Sequence, residues 1–162
     1  MPDDIKTEKT YEGIGGWLIL VAFILIRAPI AVIVTLVRSV FPFLRHNTWI
    51  ALTSQDSESY HPLWAPLIVS ELVVNLVFLA LSFVVLILFF RRKRSFLRFV
   101  IALYLANLIW EICLTLAMWR IPATSGEPAT SSLVGVIGLA LACAIWIPYF
   151  CVSKRVRATF TR

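Results

Sequence analysis

The chain has 162 residues, of which 60% are hydrophobic and 15% are charged, and its mean hydropathy is +0.87. A soluble domain is usually under half apolar and about a quarter charged, so this composition excludes a soluble globular protein. We therefore interpret the net charge of +6 by position along the chain, because Lys and Arg collect on the cytoplasmic side of membrane proteins. No nucleic-acid partner is expected.

The first of four apolar runs follows a polar tail over residues 1–12 and spans about 13–37. A helix needs roughly 20 apolar residues to cross a bilayer, and this run is long enough. It contains Arg27 and Pro29. Because an arginine near mid-bilayer is costly, we expect its side chain to face the bundle or a wet cavity.

A long outer loop over residues 38–62 separates the first and second spans. Within it, residues 40–52 suit a short amphipathic helix lying along the membrane interface. The loop also holds two histidines and two acidic residues, but their spacing matches no metal site, which requires a defined ligand geometry. We expect a polar loop and no metal.

The second and third spans cover about 63–90 and 99–119, and they flank an inner basic hinge at 91–98. Each span carries one carboxylate and one amide four residues apart, which share a helix face. These polar pairs are the main candidates for chemistry within the membrane. They are Glu71 and Asn75 in the second span, and Asn107 and Glu111 in the third.

A second outer loop at 120–132 leads into the fourth span, at about 133–152, which is rich in small residues. Small residues four positions apart let helices approach closely. We predict this packing role for Gly135, Gly138 and Ala142. Besides the lipid bilayer, the expected partner of this small-residue face is a second copy of the chain or another membrane protein.

Basic residues are distributed unequally between the two sides of the predicted bundle. Eleven Lys or Arg lie in the two tails and the hinge (two, five and four in chain order), whereas the outer loops hold three. This bias places both termini in the cytoplasm. The sequence thus predicts an all-α polytopic membrane protein, a four-transmembrane-helix bundle at 13–152 with N-in/C-in topology and a basic tail at 153–162.

The basic clusters beside the membrane also predict contact with anionic lipid headgroups. The alternative is a solvated hinge and tail whose charges only signal topology. The residues concerned are Arg91, Arg92, Lys93, Arg94, Lys154, Arg155 and Arg157.

The charged side chains inside the spans are Arg27, Glu71 and Glu111. At a rise of about 1.5 Å per residue, Arg27 and Glu111 lie nearly level, just beyond the midplane. The same count puts Asn75 about one turn away and Glu71 close to the outer surface. We hypothesise an Arg27–Glu111 ion pair, with Asn75 or Asn107 satisfying spare lone pairs. The alternative makes Glu111 a proton or cation site in a wet cavity.

No motif for catalysis or cofactor binding is present in the sequence. It lacks a His-Glu-x-x-His pattern, a glycine-rich phosphate loop and a nucleophile–base arrangement. The three cysteines match no metal or redox spacing, and we expect them to act as small buried hydrophobes. We therefore expect a protein that is not an enzyme and holds no cofactor.

Three motifs occur together along the chain. They are the opening Gly13-Ile14-Gly15-Gly16-Trp17-Leu18, the hinge Phe89-Phe90-Arg91-Arg92-Lys93-Arg94, and the ending Ile147-Pro148-Tyr149-Phe150 with Ser153-Lys154-Arg155-Val156-Arg157-Ala158-Thr159-Phe160. With them, essentially the whole chain resembles a family of small bacterial inner-membrane proteins with four predicted helices, domain of unknown function 2569. The resemblance implies a bacterial inner membrane and carries no activity, cofactor or catalytic residue.

Two classes of function remain open. The first is a non-enzymatic accessory or scaffold protein that binds a partner through the small-residue face of the fourth span. The second is a small transporter or channel component that uses Arg27, Glu71 and Glu111 for proton or ion coupling. A wet cavity reaching Glu111 would favour the second class over the first.

Overall fold

The computed structural model describes residues 17–121 and 127–153 together with positions 156, 159 and 160, without the side chains of residues 17 and 127–132. In this part of the chain the regular secondary structure is helical. The elements are α1 (Trp17–Thr35), a π-helical turn that continues it (Leu36–Val40), α2 (His46–Thr53), α3 (Trp64–Phe90), α4 (Ser95–Met118) and α5 (Glu127–Val152). Apart from α2, these helices are long and apolar enough to cross a membrane, which confirms the predicted all-α architecture with four spans.

Two spans begin earlier than predicted. α4 starts at Ser95 rather than at 99, because the first turn of a helix can leave a charged side chain exposed, and Arg98 is exposed. α5 starts at Glu127 rather than at 133. Pro128 suits that first turn, since a helix needs no N–H donor there. The predicted start of the first span at 13 lies outside the described residues.

The long loop before α3 is partly helical and packs on the bundle. α2 covers eight residues, overlaps the predicted interfacial segment at 46–52, and contacts α3. Beside it, the ring of Phe43 stacks on Trp64 with centroids 6.0 Å apart. Trp64, Ile68 and Ile121 are buried there in a small apolar cluster. This cluster holds the loop against the end of the bundle that is opposite the hinge.

The main core lies at the hinge end of the bundle. It contains buried residues from the start of α1, the end of α3, the start of α4 and the end of α5: Leu18, Val21, Leu25, Val85, Phe89, Phe96, Val100 and Phe150. The beginning of α1, the end of α5 and the turn between α3 and α4 therefore share one end of the molecule. Which membrane face this end occupies stays a prediction from the charge bias.

A segment after α5 completes this core. The sequence predicted only a basic tail at 153–162 and no buried side chains within it. Val156 and Phe160 are fully or almost fully buried. The ring of Phe160 stacks on Phe96 with centroids 4.5 Å apart, and it lies 5.6 Å from the ring of Phe89. The hydroxyl of Ser153 accepts a hydrogen bond from the Val156 N–H at 3.4 Å, which caps the turn that carries both apolar side chains.

The hinge is a tight helix-ending turn in which one arginine has an unusual backbone. Arg92 has a φ of 52°, in the left-handed region that glycine normally occupies at helix ends. The Lys93 N–H donates to the Leu88 carbonyl and the Arg92 N–H to the Phe89 carbonyl, both at 3.1 Å. This is the Schellman arrangement, and it ends α3 firmly before α4 begins.

The long helices pack in chain order rather than as a closed ring. Close backbone packing joins α1 to α3, α3 to α4, and α4 to α5. Large apolar side chains are exposed along all four helices, as expected where lipid covers the surface. Away from the hinge-end core, α1 and α4 are the two sides of a space whose base is α3.

The hydrogen-bond ladder of α1 is interrupted twice. Pro29 lies inside the helix and has no N–H to donate to the carbonyl of Leu25. Further along, the Phe41 N–H donates to the Leu36 carbonyl at 2.8 Å, which is the wider spacing of a π-helical turn. The stretch from 30 to 35 lies between these two interruptions.

Candidate functional site

A cavity of about 300 Å³ lies between α1, α3 and α4. α1 and α4 form its two sides and α3 forms its base. All five residues of the predicted intramembrane polar cluster line this one cavity: Arg27, Glu71, Asn75, Asn107 and Glu111. The bundle therefore brings the polar side chains of three spans to a single place.

Arg27 lies on the α1 side of the cavity. Its side chain lines the cavity and is also exposed on the bundle surface. The carboxylates and amides of α3 and α4 that line the same space are half-buried. Arg27 thus borders a cavity, as expected, and is more exposed than the polar side chains of the other two spans.

The base of the cavity carries Glu71 and Asn75, one helical turn apart on α3. The side-chain amide of Asn75 donates to the backbone carbonyl of Glu71 at 2.9 Å. This bond fixes the amide, so that its oxygen is the remaining acceptor. Glu71 lines the same space as Glu111, and its expected position close to the outer surface stays a prediction.

Glu111 lies on the α4 side, next to α5. Its Oε1 is 3.4 Å from the position that a Cβ would take at Gly135. Gly135, predicted as a packing residue, therefore makes room for this carboxylate. A Cβ at Gly138 would meet nothing within 4 Å, and Ala142 is half-exposed, so neither packs tightly within the described chain.

The hypothesised Arg27–Glu111 ion pair is not formed. In the described residues no carboxylate oxygen lies within 4.0 Å of the Arg27 guanidinium. The physical reason is that the two side chains belong to opposite sides of the cavity, on α1 and α4. Their charges therefore face the cavity space instead of neutralising each other.

The cavity ends at the hinge-end core. Leu25 and Val100 belong to that core and also line the cavity. Tyr104 borders both as well, and its backbone carbonyl accepts a weak hydrogen bond from the Cys143 thiol of α5 at 3.7 Å. The core and the segment bearing Phe160 thus close the hinge side of the space.

Five polar or aromatic residues line the cavity beyond the predicted five: Thr35, Phe78, Ser82, Tyr104 and Trp110. Helical spacing already places Tyr104 on the face of Asn107 and Glu111, so this residue was recoverable from the sequence. Ser82 is buried, and its hydroxyl donates to the Leu79 carbonyl at 2.7 Å, which leaves it a structural role.

The predicted lipid-contact residues divide into two groups. The four of the hinge, Arg91 to Arg94, are exposed at the hinge end. The other three, Lys154, Arg155 and Arg157, lie outside the described residues. Lipid contact by either group remains a prediction.

The four apolar helices indicate a multi-pass membrane protein with a polar cavity among its spans. The chain belongs to the family described as a protein of unknown function (DUF2569), which matches residues 11–161 and confirms the resemblance. Neither a curated protein nor a solved structure matches the chain. An activity must therefore be argued from the cavity itself.

Proposed function

We propose that the protein is a small, non-enzymatic transporter or channel component that uses Arg27, Glu71 and Glu111 for proton or ion coupling. The observation that carries this proposal is the cavity of about 300 Å³, which all three charged side chains line. Among the described residues no ion pair joins them. Charged groups in transmembrane segments are rare and mark substrate or ion pathways.

A purely structural role for these charges is disfavoured by their separation. A charge removed from water costs several kcal/mol unless a partner compensates it. A structural pair would therefore bring the guanidinium and a carboxylate into contact, and no such contact is present for Arg27 and Glu111 in the described residues. Where charged side chains face a shared cavity instead, an ion or ligand that enters the cavity supplies the counter-charge.

The proposed setting follows from the charge bias and the family resemblance. The side with 11 Lys or Arg faces the cytoplasm of a bacterial inner membrane, so both termini are cytoplasmic. In this orientation the hinge-end core is on the cytoplasmic side, and the cavity extends from it toward the outer side. The exposed basic residues of the hinge contact anionic lipid headgroups.

Proton-driven flux tests this proposal. The full chain is reconstituted in liposomes that contain a trapped pH-sensitive dye, and a pH gradient is imposed. We expect the wild type to dissipate the gradient faster than empty liposomes, and Glu111→Gln to lose this effect. Glu58→Gln removes an exposed carboxylate outside the cavity and keeps the flux. Equal flux in wild type and Glu111→Gln would contradict the proposal.

The accessory or scaffold function is a second candidate, favoured by the outer face of α5. Gly138 has open space where a Cβ would be, and the apolar side chains around it are exposed. A second copy or another membrane protein would pack there through small-residue contacts. Loss of a copurifying partner in Gly138→Leu, with no effect of Glu111→Gln on flux, would support this function instead.

A further inference from the structure

We propose that the cavity binds a small zwitterion, with an anionic group held by Arg27 and a primary ammonium group held between Glu71 and Glu111. This inference rests on the proposed transport function and names its substrate class. It follows from where the charges of the cavity are, how they are separated, and how large the space is.

The positive and negative side chains of the cavity lie on different helices. Arg27 is on α1, whereas the carboxylates are on α3 and α4. No ion pair joins the two sets in the described part of the chain. A ligand with only a cation would leave Arg27 without a counter-charge, and a ligand with only an anion would meet two carboxylates. A ligand that carries both charges satisfies both sides.

The ammonium group also determines how the site exchanges protons. Arg27 and two ionised carboxylates sum to one negative charge, and in the empty site a proton on either Glu71 or Glu111 cancels it. An ammonium placed between the two carboxylates stabilises their ionised forms, so its binding displaces such a proton. Exchange of a proton for the zwitterion is the coupling that the proposed function requires.

The amides determine which cationic group fits. The Asn75 amide nitrogen is bound to the Glu71 carbonyl, so the oxygen of Asn75 is left as an acceptor. Together with two carboxylates, this acceptor suits a primary ammonium, which has three N–H donors. A quaternary ammonium has none and would leave these oxygens unsatisfied.

The volume limits the ligand to a small molecule or headgroup. About 300 Å³ is at the lower end of ligand pockets. Ala28, Ala31, Val32 and Leu114 supply apolar walls for a short aliphatic part. A free amino acid and the phosphoethanolamine headgroup of a lipid both have this chemistry. Because Arg27 is exposed, a ligand from either source can reach it from outside the bundle.

Titration calorimetry on the full-length wild type in phosphatidylcholine nanodiscs tests the free ligand. The probes are L-alanine, which carries both charges, and propionate and ethylamine, which carry one each. We expect L-alanine to bind at least about tenfold more tightly than either single-charge probe. Repeating the titration in buffers of different ionisation enthalpy is expected to show release of about one proton for each L-alanine bound.

The lipid source is tested in the same preparation. Nanodiscs of phosphatidylcholine with added phosphatidylethanolamine are analysed by native mass spectrometry for lipid retained on the protein. If the headgroup is the ligand, phosphatidylethanolamine is retained in preference to phosphatidylcholine and L-alanine does not bind. Failure of both L-alanine and phosphatidylethanolamine to bind the wild type, or equal binding of the single-charge probes, would overturn the inference.

Variants then locate the bound zwitterion. Arg27→Gln and Glu111→Gln are each expected to weaken its binding about tenfold or more, since each removes a charged hydrogen-bond partner. Arg45→Gln and Glu58→Gln remove exposed charges outside the cavity and serve as matched controls. Proton flux without zwitterion binding would overturn this inference alone, whereas zwitterion binding without flux would overturn the transport proposal.

Discussion

The Oε1 atom of Glu111 lies 3.4 Å from the position that a Cβ would occupy at Gly135. A carboxylate of α4 thus rests against the backbone surface of α5, and the same carboxylate lines the polar cavity. A Cβ at residue 135 would lie at ordinary contact distance from this oxygen, so only a longer side chain there would compete with the carboxylate for space.

Gly135→Leu is expected to displace the Glu111 carboxylate, because a branched side chain would occupy its space. Proton flux in liposomes should fall toward that of Glu111→Gln. Gly138→Leu is the matched control, since nothing lies within 4 Å of a Cβ at that position, and it should retain flux. Gly135→Ala adds an atom at ordinary contact distance and should fold normally. Unchanged flux in Gly135→Leu would show that Glu111 does not depend on this space.

Phe160→Ala is expected to destabilise the protein by about 3 kcal/mol, because it removes a buried ring from a packed core. The ring is 3% exposed and stacks on Phe96. The free energy of unfolding in mixed detergent micelles checks this value. Phe99→Ala removes a ring that is 45% exposed and should cost far less. Equal losses in the two variants would mean that the closing segment does not stabilise the core.

Arg92→Gly is expected to stabilise the turn between α3 and α4. A left-handed conformation costs a residue with a Cβ about 1–2 kcal/mol, and glycine avoids this cost but gains freedom in the unfolded state. The net gain should be about 0.5–1 kcal/mol in the same unfolding measurement. Lys93→Gly removes a neighbouring positive charge at a position without positive φ, and it should give no gain. A loss of stability in Arg92→Gly would contradict this assignment.

Arg27→Gln and Glu111→Gln should act independently on stability. Residues that form an ion pair show a coupling energy of about 0.5–3 kcal/mol, whereas separated residues add to within about 0.5 kcal/mol. The two side chains are on opposite sides of the cavity and are not paired in the described structure. The unfolding free energies of both single variants and the double variant measure the coupling. A coupling energy well above about 0.5 kcal/mol would show that the two side chains form a direct ion pair.

The sequence alone was sufficient to predict the four helical spans and to identify the residues of the intramembrane polar cluster. Apolar runs fixed the four spans, and helical spacing put Glu71 with Asn75 and Asn107 with Glu111 on shared faces. Both are local properties of the chain. The contact between Phe160 and Phe96 was missed because a basic segment of ten residues carries no long apolar run, and its two buried side chains reveal their role only in three dimensions.

The arrangement within the cluster was also beyond the sequence. Counting depth along straight helices made Arg27 and Glu111 level, and this suggested a pair. Depth does not give the distance across the bundle, which depends on how α1 and α4 pack on α3. The same count gave each residue a depth but did not show that Glu71 and Glu111 line one cavity. Which side chains meet in the plane of the membrane was therefore beyond the sequence.

The two interruptions of α1 give the cavity one compliant wall and two stiff ones. Ala31, Val32 and Thr35 line the space from the stretch between Pro29 and the π-helical turn. Helices bend where hydrogen bonds are missing or widened, so this stretch of α1 can change direction at a smaller cost than an uninterrupted helix. Glu71 and Glu111 lie on helices without such interruptions. A bend in this stretch would therefore change the width of the cavity without moving the helices that carry the two carboxylates.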